Sequence, residues 1–351
     1  MSDRAPSVMD DQTRMLAGIA AEALRHWAGE FGEPSLIKFR ENAVFSVRNS
    51  QDQAFALRIH RPGYHSAQAL DSELAWMNAL AASGLHVPHP QASLTGHYSV
   101  AFLTPDARET RYADLLEWLD GETLSAIEDQ PDSDEARVAG LYRNLGETAG
   151  RLHEHGASWS PPAGFHRHHW DAEGLTGDAP IWGPFWDLEW LSRAEAALIR
   201  EARAVLAEDL GKMPRDPSCY GLIHADLLSD NVVVQGSDIR LIDFDDAGWG
   251  WHMFELATAL HFQIGNRSFE AKRDALFTGY RSTRDVPGNF EEQLPLFLLA
   301  RSVTYLGWVA TRQETETARQ QTRSLIERCC DIAQAYLAQR RTHHFLTGQR
   351  R

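Results

Sequence analysis

The chain is short of three things, and each shortage narrows what it can be. It has three cysteines in 351 residues, Cys219, Cys329 and Cys330. Two are adjacent and the third is remote, which excludes a disulfide framework and fits a reducing compartment. Positive charge is scarce: 34 Lys and Arg stand against 49 Asp and Glu, a formal net charge of −15. A nucleic-acid backbone needs a basic footprint, so nucleic acid is excluded as the main partner. The acidic surplus serves solubility first and also permits a cationic substrate. Long apolar runs are missing too. "LPLFLLA", beginning at Leu294, falls well short of a membrane span, and the opening MSDRAPSVMDDQ holds no apolar signal core. A cytoplasmic protein with no membrane partner is the expectation. The sequence shows neither an internal repeat nor a low-complexity linker. With 43% hydrophobic residues it can build an ordinary packed core, and its length suggests two domains or lobes.

Periodicity supplies the elements. Leu16, Ile19, Leu24 and Trp27 recur on one helical face until Gly29, Gly32 and Pro34 stop it. "AVFSV" and "AFALRI" flank a polar "RNSQDQ" and read as an antiparallel hairpin. A helix is expected from an N-cap at Ser66 to Gly84, followed by strands in "HYSVAFLTP" and "RYADLLEWL". Beyond Gly121 the pattern becomes helical. It is broken by a Trp- and His-rich stretch and by one island of β character over residues 222–243. The expected fold class is therefore α+β, with an N-terminal lobe over residues 1–120 and a helical lobe over residues 121–351 that carries a hairpin at 222–246.

The Trp- and His-rich stretch has two readings. Trp159, Trp170, Trp182, Trp186 and Trp190 read first as core packing, and second as an aromatic wall for a cationic amine. His168 and His169 are adjacent, point apart on regular structure and have no cysteine nearby, so a polar loop is favoured over a zinc site.

The chemistry concentrates in "LIHADLLSDNVVVQGSDIRLIDFDD". Val232–Val234 and Ile239–Ile242 are short apolar strands around the turn "QGSD". His224, Asp226 and Asn231 lie before the hairpin and Asp243 at its exit, so the hairpin should gather them at one end. A carboxylate, an amide oxygen and a second carboxylate are hard ligands of the kind Mg²⁺ accepts. Turn hydrogen bonds would explain any one of these residues, but not all of them at this spacing. His224-x-Asp226 with Asn231 five residues on, then Asp243-Phe244, matches the kinase pattern H-R-D-x-x-x-x-N followed by D-F-G.

The form of this motif, with Ala225 in place of Arg and Asp245 in place of Gly, resembles the aminoglycoside phosphotransferase and choline kinase-like superfamily. "LRIHRPGYHSAQALDSELAWMNALAASGLHVPHP", "EWLDGETL", "LGETAGRLHEHG" and "GWHMFELATAL" stand in the order that superfamily would have them, so the likeness spans roughly residues 36–260. The nearest branches are the homoserine kinases, hydroxylysine kinases and bacterial stress response kinase A. The resemblance implies a two-lobed protein-kinase-like fold, ATP and Mg²⁺ as cofactors, Asp226 as catalytic base, and Asn231 and Asp243 as metal ligands. His224 and Glu255 would brace the catalytic loop.

The first lobe should then supply a cation for the phosphates and an acid to hold it. Arg58 stands where the pattern has Lys. Glu73 shares an inward helical stripe with Trp76, Met77 and Leu80, and a carboxylate on an inner face needs a partner such as Arg58. No glycine-rich loop precedes them. The turn at Glu41-Asn42-Ala43 takes its place, with Asn42 as a cofactor contact. The hinge would fall at "EWL", where Glu117, Trp118 and Leu119 offer backbone groups to an adenine. Asp245 and Asp246 are candidates for acceptor recognition. Three functions stay open: transfer of phosphate from ATP to a hydroxyl of a small amino alcohol or hydroxy amino acid, a protein Ser/Thr kinase of the stress response kinase A type, or a nucleotide-binding pseudokinase. No "APE" segment is present, which favours the small acceptor. The sequence leaves the oligomeric state undefined.

Overall fold

The computed structural model describes residues 8–39, 42–106, 108–313 and 315–347. The protein has a two-lobed α+β fold. Its two compact units are Met1–Gly121 with Ser160–His166 and Arg240–Ile242, and Glu122–Trp159 with Arg167–Ile239 and Asp243–Arg351. Gly121, where the first long segment ends, has φ +144°, a conformation that side chains disfavour.

The first unit contains α1 (Val8–Leu24), β1 (Ser35–Phe39), β2 (Ala43–Arg48), β3 (Ala54–Ile59), α2 (Ala67–Ala82), β4 (Ser99–Leu103) and β5 (Thr110–Glu117). The strands form one antiparallel sheet in the order β1-β2-β3-β5-β4. Alternation sends Phe45, Val47, Leu57, Ile59, Phe102 and Leu115 to one face, where Leu16, Ile19 and Trp27 cover them. Arg58 and Asp114 are cross-strand partners and point the other way. The strand β1 was not expected. None of its residues is fully buried and a bulge breaks its register, so its sequence carries little alternating signal. The helix α2 begins at the expected cap: the Ser66 hydroxyl accepts from the Ala69 N–H at 3.2 Å. Gly84, with φ +84°, lies just past its end.

The second unit contains β6 (Glu122–Thr123), α3 (Leu124–Glu128), α4 (Glu135–Ser158), β7 (His169–Trp170), α5 (Ala172–Thr176), α6 (Arg193–Gly211), β8 (Tyr220–Ile223), β9 (Val232–Gln235), β10 (Asp238–Leu241), β11 (Gly248–Trp251), α7 (His252–His261), α8 (Phe269–Thr283), α9 (Leu294–Thr311) and α10 (Glu316–Thr347). Two small sheets run β10-β9-β6 and β7-β11-β8. The helices α4 and α8 cross at two glycines. A methyl group at Gly146 would collide with the Leu276 carbonyl, and one at Gly279 with the Arg143 carbonyl.

Two details differ from the sequence reading. Part of the His-rich stretch is not loop: His169 and Trp170 pair in parallel with Trp249 and Gly250 of β11, a long-range pairing that local pattern does not announce. Trp170 and Trp182 are buried in the core, whereas Trp159 and Trp186 are half-buried and Trp190 is exposed. The apolar run at Leu294 is also longer than it looked. Phe290–Thr311 is long and apolar enough to cross a membrane by length and composition, yet 78% of that window is buried within the protein as a core helix.

Candidate active site

The strand β8 ends at Ile223 and delivers His224, Ala225 and Asp226 into a sharp turn. Ala225 takes φ +64°, a strained conformation for a residue with a side chain, so something must hold it. The Glu255 carboxylate of α7 does so, accepting the backbone N–H groups of His224 and Ala225, each at 2.7 Å. Glu255 is wholly buried. Burial pushes its carboxyl up from the ordinary value, against the pull of His224 and the two N–H donors. Behind it, His153 lies 3.7 Å from a Glu255 oxygen, 2.8 Å from the Tyr280 hydroxyl and stacked on His252 with centroids 4.2 Å apart. Burial, then the nearby Arg284 charge, holds His153 well below the usual histidine range. The predicted brace, Glu255, is therefore in place, and His224 is braced with the loop rather than bracing it alone.

Asp226 and Asn231 meet. The Asn231 Nδ2 donates to the Asp226 carbonyl at 2.9 Å and to Asp226 Oδ2 at 2.8 Å. Both bonds use the amide nitrogen, which turns Oδ1 of Asn231 away from the carboxylate as an acceptor or metal ligand. The other Asp226 oxygen, Oδ1, accepts from Arg301 of α9. Arg301 gave no sequence signal beyond being a lone charge in an apolar helix. Asp243 stands at the hairpin exit with φ +68°. Its neighbour Phe244 packs on the His224 ring at 4.4 Å between centroids, which ties the exit of the hairpin to its entrance. Among the described residues, no three His, Cys, Asp or Glu side chains gather into a metal cage. Asn231 and Asp243 supply an amide and a carboxylate, donors that suit a cation that keeps waters and phosphate oxygens in its shell.

The tail beyond Asp243 is held from below. The Trp182 Nε1 donates to Asp246 Oδ1 at 3.2 Å, and Trp170 Nε1 donates to the Asp246 carbonyl at 2.9 Å. Arg167 donates to the carbonyls of Asp245 and Ala247. The next residues are locked as β11 between β7 and β8.

In the first unit, Arg58 and Glu73 do form an ion pair, Nη1 to Oε1 at 2.8 Å, with side chains 5% and 0% exposed. The sequence reading missed the larger partner. Asp114 takes the guanidinium fork, Nε to Oδ1 and Nη2 to Oδ2, both at 2.8 Å. His60 adds a contact at 2.7 Å to Oδ2. Burial works to raise the Asp114 carboxyl, but the Arg58 and His60 charges outweigh it and hold it below the ordinary value. A signal was available: "YADLL" sets one Asp in an apolar strand interior, and a buried carboxylate requires a partner.

The remaining candidates are spread along the first unit. The Asn42 Oδ1 accepts from the Arg61 N–H at 3.3 Å, joining the start of β2 to the exit of β3. Its expected turn partner Glu41 lies outside the described residues. At the expected hinge, the Glu117 N–H is taken by the His89 carbonyl at 2.9 Å and the Trp118 N–H by Ala54 at 3.2 Å. The Leu119 N–H has no backbone partner among the described residues.

Residues 38–289 match the phosphotransferase enzyme family. The solved structure of a microcompartment-associated aminopropanol kinase shares 31% identity and superposes with a TM-score of 0.79, covering 92% of this chain and 97% of that one. The amicoumacin kinase of Bacillus subtilis (strain 168) is 25% identical over 277 residues, 78% of this chain and 76% of its own length. A homoserine kinase of Gluconobacter oxydans (strain 621H) is 25% identical over 320 residues, 86% and 92% of the two chains. Fold, hairpin and relatives together define a small-molecule kinase, an enzyme that phosphorylates hydroxyl groups. The chain belongs to the phosphotransferase enzyme family.

Proposed function

We propose that this enzyme moves the γ-phosphate of ATP, with Mg²⁺, onto a hydroxyl of a small cationic acceptor, an amino alcohol or a hydroxy amino acid. The observation that carries the reading is the Asp226–Asn231 pair, in which one carboxylate is fixed on both oxygens beside an amide whose oxygen is turned outward. In the proposed step the acceptor oxygen bonds to the γ-phosphorus, the bond from that phosphorus to the bridging oxygen of ADP breaks, and the hydroxyl proton passes to Asp226. General-base assistance of this kind supplies about 10²- to 10⁴-fold. Asn231 and Asp243 would hold the Mg²⁺, which offsets the charge of the phosphate oxygens.

Asn42 would lie near the phosphates, and Arg58, whose three guanidinium nitrogens are engaged by Asp114 and Glu73, would anchor the strand behind them. At the hinge, the Leu119 N–H is the better adenine donor, since the Glu117 N–H is already bonded within the protein. The cationic acceptor is read from charge: Asp226 stands before the hairpin, and Asp243, Asp245 and Asp246 stand at its exit. Asp246 would receive the ammonium, with Trp182 and Trp170 setting its position. A small acceptor also suits the nine residues from Asp243 to Trp251. They end in the sheet-bound strand β11 and leave no long segment to dock a polypeptide.

The test is labelled ATP with Mg²⁺ and a panel holding 1-amino-2-propanol, homoserine, hydroxylysine and choline, beside their neutral analogues. A phosphate ester of an amine-bearing member is expected, with little transfer to the analogue lacking the amine. Label found only in polypeptide, or transfer to no acceptor at all, would contradict the proposal.

A further inference from the structure

The helix α9 reads LPLFLLARSVTYLGWVAT, and Arg301 is its one charged residue. The side chain is 0% exposed. A guanidinium placed there loses its hydration, and a hydrophobic residue of similar volume commonly serves a core as well or better. Packing therefore does not account for it, and its partners have to.

Arg301 reaches two consecutive residues of the catalytic loop. Its Nη1 donates to the Ala225 carbonyl at 3.1 Å, and its Nη2 donates to Asp226 Oδ1. The Tyr305 hydroxyl, one helical turn on, accepts from Nη2 at 2.9 Å. The guanidinium plane sits over the Tyr305 ring at 4.5 Å and the Trp182 ring at 4.8 Å, so it cannot swing away. Ala225 is thereby held at both of its peptide groups, by Glu255 at its N–H and by Arg301 at its carbonyl. Asp226 is likewise held at both carboxylate oxygens, by Asn231 and by Arg301. The Asp226 side chain remains 19% exposed. A carboxylate on a strained turn, partly open to solvent, would otherwise sample several rotamers.

We infer that Arg301 is a positioning residue for phosphoryl transfer, fixing the Asp226 carboxylate in the orientation that receives the acceptor hydroxyl, with Tyr305 and Trp182 fixing Arg301 in turn. This rests on the reading of Asp226 as the base. The role depends on a planar fork that binds a carbonyl and a carboxylate together, which a compact ammonium does only in part.

The experiment compares wild type with Arg301→Met, Arg301→Lys and Arg301→Ala, using the best acceptor of the panel above, labelled ATP and Mg²⁺. Displacement of a reacting group by about 1 Å costs on the order of 10²-fold in rate. Arg301→Met is expected to lose that much in kcat, with KM for ATP and acceptor within about threefold of wild type, because neither substrate is assigned a contact with Arg301. Arg301→Lys should recover about tenfold of the loss, and methylguanidine should restore part of the kcat of Arg301→Ala. Melting temperatures and nucleotide affinity identify any variant that fails to fold. For such a variant, the Lys substitution and the methylguanidine rescue decide the matter. An active wild type beside an Arg301→Met enzyme within threefold in kcat overturns this inference and leaves the proposed function standing. So does a loss that appears in KM or melting temperature alone, without rescue. A wild type that transfers phosphate to nothing overturns the proposed function and this inference with it.

Discussion

Each unit of the protein holds a buried arginine bound to carboxylate, Arg58 in the first and Arg301 in the second, and the two are used in opposite ways. Arg58 holds two carboxylates, Asp114 and Glu73, and all three side chains are closed off from solvent. Arg301 holds a single carboxylate, Asp226, and that carboxylate stays partly open. The first arrangement is an anchor, since every charge in it is consumed inside the protein. The second leaves its carboxylate partly open to solvent. The contrast also explains why the first unit carries Arg where the kinase pattern has Lys. A forked guanidinium satisfies both oxygens of Asp114 and still reaches Glu73, whereas an ammonium offers no such planar set.

The largest effect that would sharpen this contrast is expected from removing the divalent metal that the proposed function requires. Chelation should bring phosphoryl transfer to background, with recovery on adding Mg²⁺. Asp243→Ala should lower kcat by about 10²- to 10³-fold, with little change in the denaturation midpoint. Stability is the next measurement. Asp114→Asn breaks a fully buried pair and should lower the unfolding free energy by about 3 kcal/mol, while Asp226→Asn should lower it by less, because its carboxylate is partly solvated. Equal losses in urea titrations would erase the distinction between anchor and open carboxylate. Arg58→Lys comes third, with about 1–3 kcal/mol lost in the same assay and KM for ATP raised, as the buried acceptors of Asp114 lose a donor.

The smallest effect is a pH dependence. Burial is the first cause holding His153 and His252 well below the usual histidine range, with neighbouring charge second. The folded protein therefore keeps them neutral, and the unfolded chain takes up their protons below about pH 6.5. Stability should fall as pH drops through that value, by up to about 1.4 kcal/mol per pH unit for each histidine. The raised carboxyl of Glu255 works in the other direction, its contribution being lost as pH rises, and offsets part of this slope. Denaturation midpoints at pH 7.5 and 5.5 check it, and His252→Gln should flatten the slope.

The sequence spoke clearly where chemistry and spacing coincide. The meeting of Asp226 and Asn231 was legible because the motif puts polar groups at fixed intervals around strands. Glu73 was legible because helical periodicity turns it inward beside Trp76 and Met77. Asp114 was missed although a lone Asp in an apolar strand asks for a partner. Arg301 was out of reach for a different reason: its partner is 75 residues away in sequence, and no local pattern says which helix will pass beside the loop of Asp226. The same holds for β7, which exists only because β11 comes alongside it.

The most direct test of the account is single-turnover transfer of labelled phosphate from ATP to an amino alcohol by wild type and Asp226→Asn, with nucleotide affinity measured on both. The account predicts unchanged nucleotide binding and a transfer rate lowered by about 10²-fold or more in the variant. Transfer by Asp226→Asn at the wild-type rate would contradict it.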